Sequence, residues 1–304
     1  MNYQDMPHII DLHFLEYPEV IAAFLVETED GPVLVETGPH ATFPALEKGV
    51  NGLGYEIKDI KHVLLTHIHL DHAGAAWTLA ENGANIYVHP IGLPHLADPS
   101  KLMHSARRIY KEDMDRLWGD MQAIPQAQLH EVADRQSIEI GGKSFRAWHT
   151  PGHASHHIAW QLEEAIFTGD NAGAKIGSGP VVPPCPPPDI DIEAWQQSIA
   201  LIKALNPKVL YLTHFGPVTN PSEHLDQVES VLLKWANWIR PFWEAGKEPG
   251  EVKPLFEDYV SEQLQAAGIT GRSKQQYEAA NPSWMSVTGL MRYWRKRHEK
   301  ATGA

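Results

Sequence analysis

The sequence has little cysteine, little positive charge and no long hydrophobic run. Cys185 is the only cysteine in 304 residues, which excludes an intramolecular disulfide. No apolar run approaches the roughly 18 residues that cross a bilayer, and the amino terminus MNYQDMPHIIDLHF lacks the charged and apolar regions of a signal peptide. These absences predict a cytoplasmic protein without a membrane partner.

Acidic residues outnumber basic ones. The chain has 25 Lys and Arg against 38 Asp and Glu, a formal net charge of −13. Such a chain has no basic field to attract a phosphate backbone, so we expect no nucleic-acid partner and predict a small-molecule substrate. With 43% hydrophobic residues, the composition is typical of a globular protein.

The first 220 residues alternate short apolar runs with helical patterns. The apolar runs predict strands at residues 8–14, 21–28, 32–37, 62–66, 85–89, 137–140, 143–150, 157–161, 165–168 and 209–213. Helices are predicted at 41–53, 73–82 and 192–205, with a helical insertion at about 91–128. The turn Glu29-Asp30-Gly31 predicts a hairpin between two of these strands. The two successive β-rich halves fit an αββα sandwich that forms one domain, 1–220.

The remaining residues, 221–304, predict a helical carboxyl-terminal region. This region is rich in tryptophan: Trp235, Trp238, Trp243, Trp284 and Trp294. At helical spacing such residues favour a core role, with an acyl pocket or a homodimer surface as alternatives. In the insertion, the apolar residues Met103, Tyr110, Met114 and Trp118 suggest a lid over a site.

The segment THIHLDHAG, residues 66–74, directly follows the apolar run HVLL. Residues two apart at a strand end can face one side, so His67 and His69 can hold one ion while the next turn brings Asp71 and His72 toward a second. Imidazole and carboxylate ligands suit zinc, iron or manganese, and the lack of cysteine ligands indicates a catalytic site.

One such cluster cannot complete two coordination spheres, so further ligands are predicted downstream. Three residues follow strand patterns in the same way. His153 lies in TPGH, Asp170 in FTGD and His214 in YLTHFG. The sequence therefore predicts a centre of seven metal ligands.

The motifs THxHxDHxG, TPGH, TGD and the late histidine occur in the order of the metallo-β-lactamase superfamily, which the chain resembles over about residues 8–216. The resemblance implies an α+β fold, the four-layer αββα sandwich, here with a helical carboxyl-terminal extension. It also implies two divalent metal ions, zinc first and iron or manganese as other candidates. Carried over by position, it places His67, His69 and His153 on one ion, Asp71, His72 and His214 on the other, and Asp170 between both.

The function implied is hydrolysis of a small ester, thioester or lactone by a metal-bridging hydroxide. Asp71 is the catalytic candidate, since the resemblance suggests that it orients or relays the proton. The first motif and helical tail resemble glyoxalase II, and the segment VVPPCPPP with the late THFGP resembles a little-characterised prokaryotic subgroup. Three alternatives stay open: a phosphodiesterase on the same site, a mononuclear iron enzyme resembling persulfide dioxygenases, and a metal-binding protein without turnover.

Residues beside the motifs have more ordinary interpretations. His157 is predicted to be structural and His156 to line a pocket. The proline-rich run around Cys185 is interpreted as a rigid connection, and its thiol as buried and inert.

Overall fold

The β strands form two mixed sheets. The computed structural model describes residues 6–303, and within that range each sheet has six strands. The first contains β1 (His8–Asp11), β2 (Ala22–Thr28), β3 (Gly31–Val35), β4 (His62–Leu64), β5 (Asn85–Val88) and β6 (Leu129–Glu131), in that order. The second contains β7 (Ser137–Ile140), β8 (Lys143–His149), β9 (Ile158–Leu162), β10 (Ala165–Gly169), β11 (Val209–Leu212) and β12 (Gly216–Val218).

Each sheet contains both antiparallel and parallel strand pairs. Strands β1 to β3 pair antiparallel and β3 to β6 pair parallel. In the second sheet only β10 and β11 are parallel. The predicted hairpin is confirmed, since Thr28 pairs with Gly31 across the turn, and Gly31 has the positive φ of 108° that glycine tolerates.

Helices enclose the sheets. They are α1 (Phe43–Gly52), α2 (Leu70–Ala73), α3 (Ala76–Glu81), α4 (Leu93–Ala97), α5 (Ser100–Tyr110), α6 (Met114–Leu117), α7 (Ile192–Ala204), α8 (Pro221–Glu244), α9 (Pro249–Ala266), α10 (Gly271–Ala280) and α11 (Ser283–Thr302). The insertion and the tail are helical, as predicted. Sequence patterns missed α2, β6 and β12, which are too short to show a period.

The hydrophobic residues of each strand alternate between two cores. Phe24 of β2 points to the space between the sheets, where its ring lies 5.4 Å from that of Phe167 on β10. The next residue, Leu25, belongs to the core beneath the helices. This period of two explains why both sheet faces are buried, and it produces the predicted αββα sandwich.

The carboxyl-terminal helices share the core of the sandwich. Leu225, Val228 and Leu232 of α8 are fully buried in the same cluster as Ile199 and Ile202 of α7. The tail therefore packs directly on the β-rich part. None of the helices in residues 6–303 has both the length and the hydropathy that crossing a membrane requires.

Candidate metal centre

Four strand ends and one short helix meet at one edge of the sandwich. His67 and His69 follow β4, Asp71 and His72 lie on α2, His153 follows β8, Asp170 follows β10, and His214 follows β11. The structure thus brings all seven predicted ligand residues together, although 147 residues of sequence separate the first from the last. Their role as ligands remains a prediction.

The first group joins three imidazoles. Nε2 of His67 lies 2.9 Å from Nδ1 of His69, which lies 3.0 Å from Nε2 of His153. Burial, reinforced by the neighbouring imidazoles, lowers the pKa of His69 to about 4 and that of His67 well below its usual value. Neutral imidazoles that converge on one point are the form in which histidine binds a metal.

The second group is Asp71, His72 and His214. Nε2 of His72 lies 3.7 Å from Oδ2 of Asp71, and Nε2 of His214 lies 3.5 Å from the same oxygen. The three ligand atoms lie within 4.8 Å of one another. Asp71 is the most accessible of the three residues, with 22% of its side chain exposed.

Asp170 lies between the two groups. Its Oδ2 is 3.2 Å from Nε2 of His153, while its Oδ1 is 3.2 Å from Nε2 of His72 and 3.3 Å from Nε2 of His214. One carboxylate therefore contacts both groups, each through a different oxygen. Asp170 thus links the two groups.

Three donor atoms of this centre lack hydrogen-bond partners. Among residues 6–303, Nε2 of His72, Nε2 of His214 and Oδ1 of Asp170 are buried and make no hydrogen bond. An unsatisfied buried polar atom costs about 1–3 kcal/mol. Five imidazoles and two carboxylates without a thiolate suit zinc, iron or manganese. The residues therefore fit divalent cations.

Hydrogen bonds on the far side of the rings fix how three of these histidines are turned. The Nδ1 atoms of His153 and His214 lie 2.9 and 2.7 Å from the carbonyl oxygens of Pro184 and Val20, which can only accept. Each Nδ1 consequently carries a proton, and Nε2 is the ring nitrogen that would bind a cation in the centre. His72 is held in the same way by Glu36.

Carboxylates give the second group a strong attraction for positive charge. Burial alone would lower the pKa of both histidines, yet Asp170 and Asp71 raise the pKa of His214 to about 9 and that of His72 well above its usual range. Conversely, burial would raise the pKa of Asp71, but His72 and His214 outweigh it and lower the value to about 2. Divalent cations would satisfy the same carboxylates.

The neighbouring residues agree with their sequence interpretations. His156 lines the cavity beside His69, with ring centroids 5.5 Å apart. His157 is fully buried, and its Nδ1 lies 2.9 Å from the Thr150 hydroxyl. Burial, assisted by the charge of Asp170, raises the pKa of the Cys185 thiol.

A cavity of about 660 Å³ opens above the centre, with His69, Asp71 and Asp170 on its floor. Two of the four predicted lid residues, Tyr110 and Trp118, line it. The other two, Met103 and Met114, are buried in the core, away from the lining.

Sequence comparison identifies the family. Residues 17–214 match the model of the metallo-beta-lactamase superfamily. The chain belongs to this superfamily, as its motifs predict, and the fold of the family implies divalent metal binding, for which the His and Asp cluster supplies candidate ligand groups.

An archaeal protein is similar to this chain in both sequence and structure. The metallo-beta-lactamase fold-containing protein ST1585 of Sulfurisphaera tokodaii is 30% identical over 73% of this chain and 84% of its own. Its crystal structure superposes with a TM-score of 0.68 over 95% of this chain and 98% of that one, at 24% identity. The metallo-beta-lactamase family protein TTHA1429 of Thermus thermophilus also gives 0.68, over 96% and 94%, at 20% identity.

A fungal relative has a more specific name. The atrochrysone carboxyl ACP thioesterase MYCFIDRAFT_190111 of Pseudocercospora fijiensis is 37% identical over 71% of this chain. The match spans only 52% of that protein, so about half of the relative lies outside the comparison.

Proposed function

We propose that the protein is a metal-dependent hydrolase that cleaves an ester, thioester or lactone through a two-metal centre. The observation that carries the proposal is the convergence of seven His and Asp side chains, three of which, His69, Asp71 and Asp170, line an open cavity. The similarity to a protein named as a thioesterase supports acyl transfer to water and makes a thioester the first substrate to test.

In this proposal each of the two groups would hold one cation, with Asp170 available to both. Divalent cations would supply Lewis acidity and a water deprotonated near neutral pH. The protein supplies position: the carbonyls of Pro184 and Val20 keep the Nε2 atoms of His153 and His214 turned inward. The ligand geometry is therefore set before metal binds.

Asp71 is the group that acts on the attacking water. It lies on the cavity floor and is partly exposed, so a water molecule can reach its carboxylate. Its pKa of about 2 keeps it ionised at neutral pH, so that it accepts a hydrogen bond from the water and orients the oxygen toward the carbonyl carbon.

Metal content and turnover together test the proposal. Protein purified without chelator should contain two ions per chain and hydrolyse members of an ester, thioester, lactone and phosphodiester panel. The variant His69→Ala should lose at least 100-fold in kcat/KM and bind less metal. The matched variant His104→Ala removes an exposed histidine outside the centre and should change neither.

Other outcomes identify the other candidate functions. A single iron with oxygen consumption would indicate an oxidoreductase. Turnover confined to phosphodiesters would indicate a phosphodiesterase. Two ions without turnover anywhere in the panel would favour a binding role. Turnover that is indifferent to His69→Ala would refute the proposed centre.

A further inference from the structure

The cavity above the metal centre is built mainly by two segments outside the strands. The insertion contributes Leu102, Ala106, Ile109, Tyr110, Leu117 and Trp118, and the tail contributes Ala279, Ala280, Pro282, Trp284 and Met285. We infer that this cavity binds a hydrophobic acyl group of the substrate, well beyond acetyl in size. The inference rests on the proposed hydrolase function and specifies its substrate class.

Tyr110 joins the two walls. Its ring packs edge-on against Trp118, with centroids 5.2 Å apart, and against Trp284 of α11 at 5.9 Å. Its hydroxyl lies 3.6 Å from Sδ of Met285, so the insertion and the tail are in direct contact here. These contacts enclose an apolar space above the floor that holds Asp71.

Two carboxylates of the cavity wall are engaged by the protein, and the other charged residues of the wall, Lys101 and Asp113, are exposed. Asp189 accepts a hydrogen bond of 2.7 Å from the Ser155 hydroxyl, and Glu278 accepts one of 2.8 Å from the Ser283 hydroxyl. The surface left for the substrate is therefore mainly aliphatic and aromatic. Such a lining favours a substrate group with no charge of its own.

The volume also selects for size. At about 660 Å³, the cavity lies within the range of roughly 300–1,000 Å³ in which pockets bury drug-sized ligands. An acetyl group would leave most of this apolar wall in contact with water. Each further methylene that is buried should improve kcat/KM by about fourfold until the cavity is filled.

We assign the acyl side of the scissile bond to the cavity because the thiol on the other side is the leaving group and must be able to depart. In the proposed thioesterase reaction, water adds to the carbonyl carbon, the C–S bond breaks, and the thiol departs with a proton as the carboxylic acid forms. A thiol attached to a large polar carrier cannot enter an apolar cavity, so it occupies the mouth. The acyl chain then extends between α5 and α11.

A chain-length series measures this directly. With the zinc-loaded protein, kcat/KM for 4-nitrophenyl esters should rise steeply from acetate to decanoate. The variant Ala106→Phe narrows the cavity from α5 and should lower kcat/KM for decanoate at least tenfold more than it lowers kcat/KM for acetate. Its matched control, Ala266→Phe, makes the same change at an exposed position of α9 and should leave the whole series unchanged.

Binding without turnover separates this inference from the proposed function. Calorimetric titration with sodium decanoate and sodium butyrate should show at least tenfold tighter binding of decanoate, with the difference lost in Ala106→Phe. If Ala106→Phe melts early, the smaller Ala106→Leu takes its place. A flat ester series, a rise that follows the alcohol chain of alkyl acetates, or equal affinities for the two acids would overturn the inference. Decanoate preference in a protein that cleaves no ester would refute the hydrolase alone.

Discussion

Oε1 of Glu36 lies 3.0 Å from Nδ1 of His72, and both side chains are completely buried. The same carboxylate accepts hydrogen bonds from the amide and the hydroxyl of Thr66 and from the hydroxyl of Thr213 at 3.4 Å. One acidic residue at the end of β3 therefore connects β4, α2 and the end of β11. It orients a predicted metal ligand without facing the metals itself.

Replacing Glu36 by Gln should weaken metal binding by roughly 10–100-fold, the usual cost of losing such a partner. The glutamine side chain lacks the negative charge that favours a proton on Nδ1 of His72. Its NH2 group would also face the amide and hydroxyl donors of Thr66. Chelator competition measures the affinity. Glu27→Gln is the matched control, because Glu27 pairs with His8 at 3.2 Å on the surface. The metal affinity of this variant should equal that of the unchanged protein. Equal affinity in Glu36→Gln would contradict the positioning role.

Glu36 also marks the limit of what the sequence could predict. The ligand positions are visible because each follows an apolar run, so local patterns are enough for His67 or Asp170. Glu36 falls inside the predicted strand 32–37, and its partners Thr66 and Thr213 lie 30 and 177 residues away, so no local pattern marks it. The cavity is harder still to predict from the sequence, since Tyr110 and Trp284 meet only through packing of the insertion on the tail.

A methyl group at Gly289 should disturb the metal centre from a distance. Gly289 lies in α11 directly against the carbonyl of Cys185, and a Cβ there would overlap that oxygen and the backbone of Pro186. Displacing this proline-rich run would also move Pro184, whose carbonyl holds His153. Gly289→Ala should thus lower both the melting temperature and the metal affinity.

The control for this variant is Gly250→Ala. Gly250 lies in α9 with nothing within 4 Å of an added Cβ, so the change should be neutral or slightly stabilising. Thermal melts of the metal-free and metal-loaded forms report the two effects separately. A Gly289→Ala protein that melts and binds metal like the control would show that α11 does not support the centre.

Removing residues 221–304 should leave a protein without a stable fold. Leu225, Val228 and Leu232 are fully buried against the sandwich, and deleting them exposes the facing residues of α7. We expect the truncated chain to bind a hydrophobic dye and to lack a cooperative melt. Removing only 299–304 takes away the exposed helical residues 299–302 at the end of α11 and should be tolerated. A cooperative melt for 1–220 would make the tail a separate domain.

Acid should destabilise the protein through His224. Its Nε2 donates to the Ala172 carbonyl at 2.7 Å, and burial lowers the pKa of His224 to about 4 although that hydrogen bond opposes the shift. The folded state thus keeps His224 neutral where the unfolded chain, with a pKa near 6.5, takes up a proton. The free energy of unfolding should fall as the pH drops from about 6.5 to about 4, by roughly 3 kcal/mol at most from this residue.

The variant His224→Gln isolates this contribution, because its amide can still donate to Ala172 but does not titrate. Urea unfolding of metal-free protein between pH 7.5 and 4.5 should give the variant a shallower loss of stability. At pH 7.5 the variant should be no more stable than the unchanged protein, and its relative stability should improve steadily below pH 6.5. Changing the exposed His104 to Gln should leave the pH dependence as it was. Parallel curves for His224→Gln and the unchanged protein would mean that the pKa of His224 is the same in the folded and unfolded states, which would contradict the lowered value.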